Sequence, residues 1–196
     1  MTPSRPDDHV PSKSRPDPTP DRVVIVSTGG TIEKTYDPRA ESLANAGSVL
    51  DHMLATLRLP DLEIERVALM DKDSLEMTAD DHQAIAARAR AEAARAEVDG
   101  VVVVHGTSRL AVSGEAAHAG GGRPASPIVF TGAMRPYAVR DSDAMQNLTE
   151  AIFAARTLAP AVYVVLHGRS LPFPGPEKDD EALTFVRGPS GPPGLS

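Results

Sequence analysis

Apolar residues in this chain bunch into short runs, at 23–27, 101–104, 128–131 and 162–166, the stretch 62–70 also reads as a strand, and segments of helical character lie between them. A short apolar run bounded by turn-forming residues suits a buried strand, whereas three-and-four spacing suits a helix with one buried face. Ser48 can cap a helix whose apolar positions Val49, Leu50, Met53, Leu54 and Leu57 share one face. Thr78 and Asp81 have the spacing of a capping box, ahead of an Ala- and Arg-rich stretch of high helix propensity that runs to Glu97. Another helix is predicted over 144–156. Five strands and four connecting helices in alternation predict an α/β fold: an open, mostly parallel, doubly wound sheet with helices on both faces. Ligands of such sheets bind beyond the carboxyl ends of the strands, so the residues just after each run are the ones to inspect.

Composition sets the limits of the folded unit. Six of the 18 prolines fall within residues 1–20, among Ser, Asp, Arg and Lys, and such a stretch has too little apolar surface to fold. It predicts a disordered tail over 1–20, and a Pro and Gly cluster predicts a flexible tail over 189–196. The remainder, 21–188, is expected to be a single domain. With 4% aromatic residues and no Trp, its interior must be filled by Val, Leu, Ile and Ala. The absence of Cys excludes a thiol nucleophile, a disulfide framework and a thiolate metal site. A formal net charge of -7 without a basic stripe argues against nucleic acid as a partner. No apolar run reaches the roughly 18 residues of a membrane span, and no apolar stretch follows the amino terminus, so a soluble, cytoplasmic protein is expected. The histidines lack the His-Glu-x-x-His spacing of a zinc hydrolase, and neither a metal nor an organic cofactor is expected.

Three strand ends carry small hydroxyl residues and glycine. Thr28-Gly29-Gly30-Thr31 follows the first run, His105-Gly106-Thr107-Ser108 follows the valine run, and Thr131-Gly132-Ala133-Met134-Arg135-Pro136 closes the fourth predicted strand. Paired glycines let the backbone bend sharply and approach a ligand closely. The first turn is no phosphate loop, since it lacks the Gly-Lys-Ser/Thr ending. A glycine turn after one strand is ordinary, but three converging on one rim fit a site for a small polar substrate better than they fit chance.

In these three turns the chain resembles the L-asparaginase/glutaminase family, whose blocks read Thr-Gly-Gly-Thr-Ile, His-Gly-Thr-Asp and Thr-Gly-Ala-Met-Arg-Pro. The likeness continues through Asp73-Ser74, Asp143 and Asn147 and across 164–185, in the same order. It implies hydrolysis of the side-chain amide of L-asparagine, or of a related small amide, to the acid and ammonia. Thr31 would be the nucleophile. A threonine hydroxyl needs activation, and the resemblance assigns this to Thr107 backed by Lys178, twelve residues beyond Leu166. Ser74 would bind the substrate's α-carboxylate, with Asp73 beside it. Backbone N–H groups near Gly30 and Thr107 would serve the oxyanion. Tyr36 stands in the segment where the family has a lid bearing a catalytic tyrosine, at a different spacing.

One position departs from the family pattern. Ser108 stands where the family has an aspartate that grips the substrate's α-ammonium group. A hydrogen bond to a charged group contributes about 1.5 to 3 kcal/mol, so its loss implies a penalty of roughly tenfold to several hundredfold. The resemblance therefore carries two further readings: a weakened homologue that binds a small ligand or partner protein, and an enzyme for an amide without an α-ammonium group. Longer family members complete a neighbouring subunit's site with a carboxy-terminal domain, which implies that this chain is a homo-oligomer, a dimer being the simplest.

Overall fold

The computed structural model describes residues 19–37, 42–45 and 48–188, with backbone alone at 35–37, 42–45 and 48. The terminal tails expected over 1–20 and 189–196 lie outside the described residues, except Thr19 and Pro20, which are exposed. In chain order the elements are β1 (Asp21–Ser27), β2 (Lys34–Asp37), β3 (Ser42–Asn45), α1 (Ser48–Thr56), β4 (Leu62–Ala68), α2 (Ala79–Ala93) and β5 (Gly100–Val104). They continue with α3 (Leu110–Ala119), β6 (Ile128–Thr131), α4 (Ala144–Thr157), β7 (Val162–Leu166), β8 (Arg169–Pro172), β9 (Pro176–Asp179) and β10 (Thr184–Arg187).

The apolar runs become one six-stranded sheet in the order β4-β1-β5-β6-β7-β8, parallel throughout except for antiparallel β8 at one edge. Side chains alternate between its faces, as the strand period requires. Val24, Val26, Val101, Val103, Ile128, Phe130 and Val164 join Ile85 and Ala89 of α2 and Leu110 and Ala117 of α3 in one buried cluster. Val23, Ile25, Val102, Val104, Val129 and Val165 join Leu50 and Met53 of α1 and Leu148 and Ile152 of α4 in the other. This is the doubly wound α/β arrangement that the pattern predicts. Each central strand is buried on both faces, which explains why the valine runs show no polar alternation.

Several features differ from the sequence expectation. Five strands beyond the predicted five appear: β2 with β3 and β9 with β10 form separate antiparallel hairpins, and β8 extends the main sheet. All five are four residues long and hold no apolar run longer than two. The predicted 62–70 strand pairs only through Ala68, because Leu69 and Met70 both turn their N–H groups onto the Ser27 carbonyl. The second helix carries the expected Thr78–Asp81 capping box but ends at Ala93 rather than Glu97. Its last residues tighten into three-residue turns, Arg95 N–H to Glu92 and Val98 N–H to Arg95, which redirect the chain into β5. No helix among the described residues is long and apolar enough to cross a membrane.

Candidate active site

Strands β4, β1, β5 and β6 are neighbours and run parallel, so the turns that follow them emerge side by side at one rim. Glycine makes the turns fit together. Gly29 and Gly30 have φ of 88° and 100°, where side chains are strained. A Cβ on Gly30 would stand 2.5 Å from the Gly106 nitrogen, one on Gly106 would stand 2.6 Å from Ser74 Oγ, and one on Gly132 would stand 2.3 Å from the His105 carbonyl oxygen. The four turns are thus in close contact. Thr28 locks the first to β5, donating both its N–H and its hydroxyl to the Val104 carbonyl at 3.1 and 3.0 Å.

Within this rim Thr31 opens a 3-10 turn and is half-buried, while Ser74 and Thr107 are buried. The Thr107 methyl lies against Gly132. Ser108 is exposed at the lip. The turns that carry Thr31, Ser74 and Thr107 thus pack against one another, through Gly30, Gly106 and Ser74. Asp73 caps the turn that holds Ser74 by accepting the Leu75 N–H at 3.0 Å, and Lys34 donates to its other oxygen at 2.6 Å. The Lys34 ammonium first, and then the Leu75 N–H, hold its carboxyl below the usual range. Lys34 was not legible as a site residue, because a single lysine after a turn carries no signal.

Lys178 lies in β9 with its ammonium paired to Asp180 at 2.6 Å, and no hydrogen bond joins it to Thr107. The hairpin carrying it is tied to α3, where Glu115 accepts the Gly175 N–H at 2.7 Å. Tyr36 lies in β2, opposite Leu43 of β3; its side chain falls outside what is described. The segment after Thr31, read as a lid, is thus a hairpin in backbone outline.

Two other groups support the rim. Glu33, two residues beyond Thr31, is buried, and burial pushes its carboxyl up against the opposing effects of Arg66 and the Gly29 N–H. Asp143 accepts the Met134 and Arg135 N–H groups at 3.0 and 2.9 Å and meets Asn147 and His167 at 2.7 Å each, so it organises the Gly132 loop. Burial opposes its ionisation, but those two backbone donors and His167 outweigh burial and lower it. Among the described residues no group of three or more His, Asp and Glu side chains is placed to hold a metal ion.

A family model described as Asparaginase, N-terminal, matches residues 22–173. The L-asparaginase of Thermococcus kodakarensis is 32% identical over 143 residues, 73% of this chain and 43% of that protein. A glutamyl-tRNA(Gln) amidotransferase subunit of Aeropyrum pernix is 34% identical over 178 residues, 87% of this chain and 40% of that protein. The solved T. kodakarensis L-asparaginase superposes with a TM-score of 0.76 at 26% identity, covering 85% of this chain and 51% of its own. L-asparaginase I of Vibrio cholerae gives 0.69 at 26% identity, covering 90% and 55%. The chain spans about half the length of these solved relatives and about two fifths of the two sequence relatives. Matched by the family model from Arg22 to Phe173 and folded as its solved members are, this chain belongs to the asparaginase family.

Proposed function

We propose that this chain hydrolyses the side-chain amide of L-asparagine, or of a related small amide, with Thr31 as nucleophile. The observation that supports this reading is the contact of four strand-end turns through Gly30, Gly106, Gly132 and Ser74, the turns to which Thr31, Thr107 and Ser108 belong. Attack by the Thr31 oxygen forms a bond to the amide carbon and places negative charge on the carbonyl oxygen. Backbone N–H groups at Gly30 and Thr107 are the natural donors to that charge. The C–N bond then breaks, ammonia leaves with the proton taken from Thr31, and water cleaves the acyl-enzyme to release the acid and restore the hydroxyl.

Thr107 and Lys178 form the proton relay in this reading. Lys178 must first give up Asp180, an 81% exposed partner, and an exposed ion pair contributes no more than about 1 kcal/mol. Ser74 and Asp73 receive the substrate's amino-acid end, and Tyr36 belongs to the hairpin that would cover it.

A second reading has specific support. Ser108 offers no charge for an α-ammonium group, and the chain is similar to a protein named as one subunit of an amidotransferase. Both facts favour a homologue that binds a small ligand or works with a partner, and Ser108 also suits an amide without that ammonium. Ammonia release by the full chain, measured against L-asparagine, L-glutamine and deaminated amides, separates the readings. Release from asparagine supports the hydrolase, a preference for deaminated amides assigns the substrate class, and binding without release favours the partner-dependent homologue.

A further inference from the structure

Beneath the His105 turn lies a chain of buried polar groups that no role in substrate binding explains. His105, Ser113 and His82 are 0%, 0% and 3% exposed, sit on three different elements, and are joined end to end. His105 Nδ1 is 2.8 Å from the Gly106 carbonyl oxygen, His105 Nε2 is 2.9 Å from Ser113 Oγ, and Ser113 Oγ is 2.7 Å from His82 Nδ1. The chemistry of the groups fixes its direction. A carbonyl oxygen only accepts, so His105 Nδ1 carries the hydrogen and Nε2 is the acceptor. Ser113 must then donate its one hydroxyl hydrogen to His105 and accept from His82 Nδ1–H. That leaves His82 Nε2 as a bare acceptor, and it is one of the buried side-chain atoms without a hydrogen-bond partner. Burial also disfavours the charged form of both rings, which keeps each to a single hydrogen.

The chain ends on the peptide unit that matters most. A trans peptide is planar, with its C=O and N–H pointing in opposite directions. The Gly106 carbonyl and the Thr107 N–H belong to the same unit, so turning that carbonyl inward onto His105 turns the Thr107 N–H outward, away from the core. The Thr107 N–H itself makes no hydrogen bond among the described residues.

We propose that His105, Ser113 and His82 are positioning residues: they lock the Gly106–Thr107 peptide so that the Thr107 N–H faces the developing oxyanion. This rests on the hydrolytic reading for its consequence, although not for its geometry. The chain of hydrogen bonds couples helices α2 and α3, which carry His82 and Ser113, to the orientation of one backbone donor.

The test has one arm independent of activity. Nitrogen-15 spectra of the native chain should show His105 with hydrogen on Nδ1 and His82 likewise, and the Thr107 amide resonance should shift in Ser113→Ala. Either ring found as the other tautomer, or an unmoved Thr107 amide, overturns the proposal. In the kinetic arm, Ser113→Ala should lower kcat about tenfold while KM changes less than about threefold, since a transition-state donor is misaimed and ground-state binding is spared. Ser113→Thr, which restores the hydroxyl, should recover most of kcat; failure of that rescue, or an unchanged kcat in Ser113→Ala, also overturns it. Should the native chain release ammonia from no amide, the hydrolytic reading fails and the spectra alone decide the chain of hydrogen bonds.

Discussion

At position 108 a serine lies exposed on the lip of the rim, beside the buried Thr107. Ser108→Asp would supply the charge that an α-ammonium group needs there. In a partly desolvated site that contact is worth about 1.5 to 3 kcal/mol, so kcat/KM for L-asparagine should rise by about tenfold or more and that for a deaminated amide should not. Equal effects on both substrates in steady-state assays would show that residue 108 does not meet the ammonium. His105 ties a single side chain to pH. Burial, foremost, pushes its imidazole down to about 4, against an ordinary value of about 6.5 in the unfolded chain. The unfolded chain therefore takes up a proton first as pH falls. The stability that His105 provides is whole above about pH 6.5 and is lost progressively between there and about pH 4, to a total of about 3 kcal/mol. Urea unfolding should be weaker at pH 4.5 than at pH 7 by about 2 kcal/mol more in the native chain than in His105→Gln. An identical pH slope in both would remove His105 as the cause.

Among the elements, the fit of turns after adjacent strands matters more than any one of them. Gly30 illustrates this, because its φ of 100° and the Gly106 nitrogen 2.5 Å from its would-be Cβ leave no room for a side chain. Gly30→Ala should lower unfolding free energy by at least about 2 kcal/mol, with a matching fall in the denaturation midpoint. A midpoint unchanged from the native chain would mean that the two turns can separate freely. The elements also differ in how far the sequence alone revealed them. Strands β1, β5, β6 and β7 were legible because burial on two faces demands continuous apolar runs, and α1 because burial on one face demands three-and-four spacing, whereas α2 was legible from its capping box and helix propensity. The turns with Thr31 and Thr107 were legible as strand-end motifs, and Ser74 only through the resemblance to the family. The hairpins were not, since β2, β3, β9 and β10 are four residues each, hold no apolar run longer than two, and are paired with one another. Nor was the Lys34–Asp73 pair, which joins residues 39 apart. His82 did leave a trace: it falls on the same helical face as the buried Ile85, Ala86 and Ala89, and a polar residue there asks for a buried partner.

For the molecule as a whole, the fold gathers the turns that follow four parallel strands at one rim. The proposed homo-oligomer is tested by mass measurement in solution with and without substrate, where a monomer in both states would contradict it. Hydrolysis of a small amide through Thr31 is the central claim. The most direct measurement is ammonia release from L-asparagine and the related amides by the purified full chain, set beside Thr31→Ala that retains the native circular dichroism spectrum. Release by the native chain and none above background in Thr31→Ala is the expected result. Turnover that survives in the folded variant would contradict the assignment of Thr31 as nucleophile.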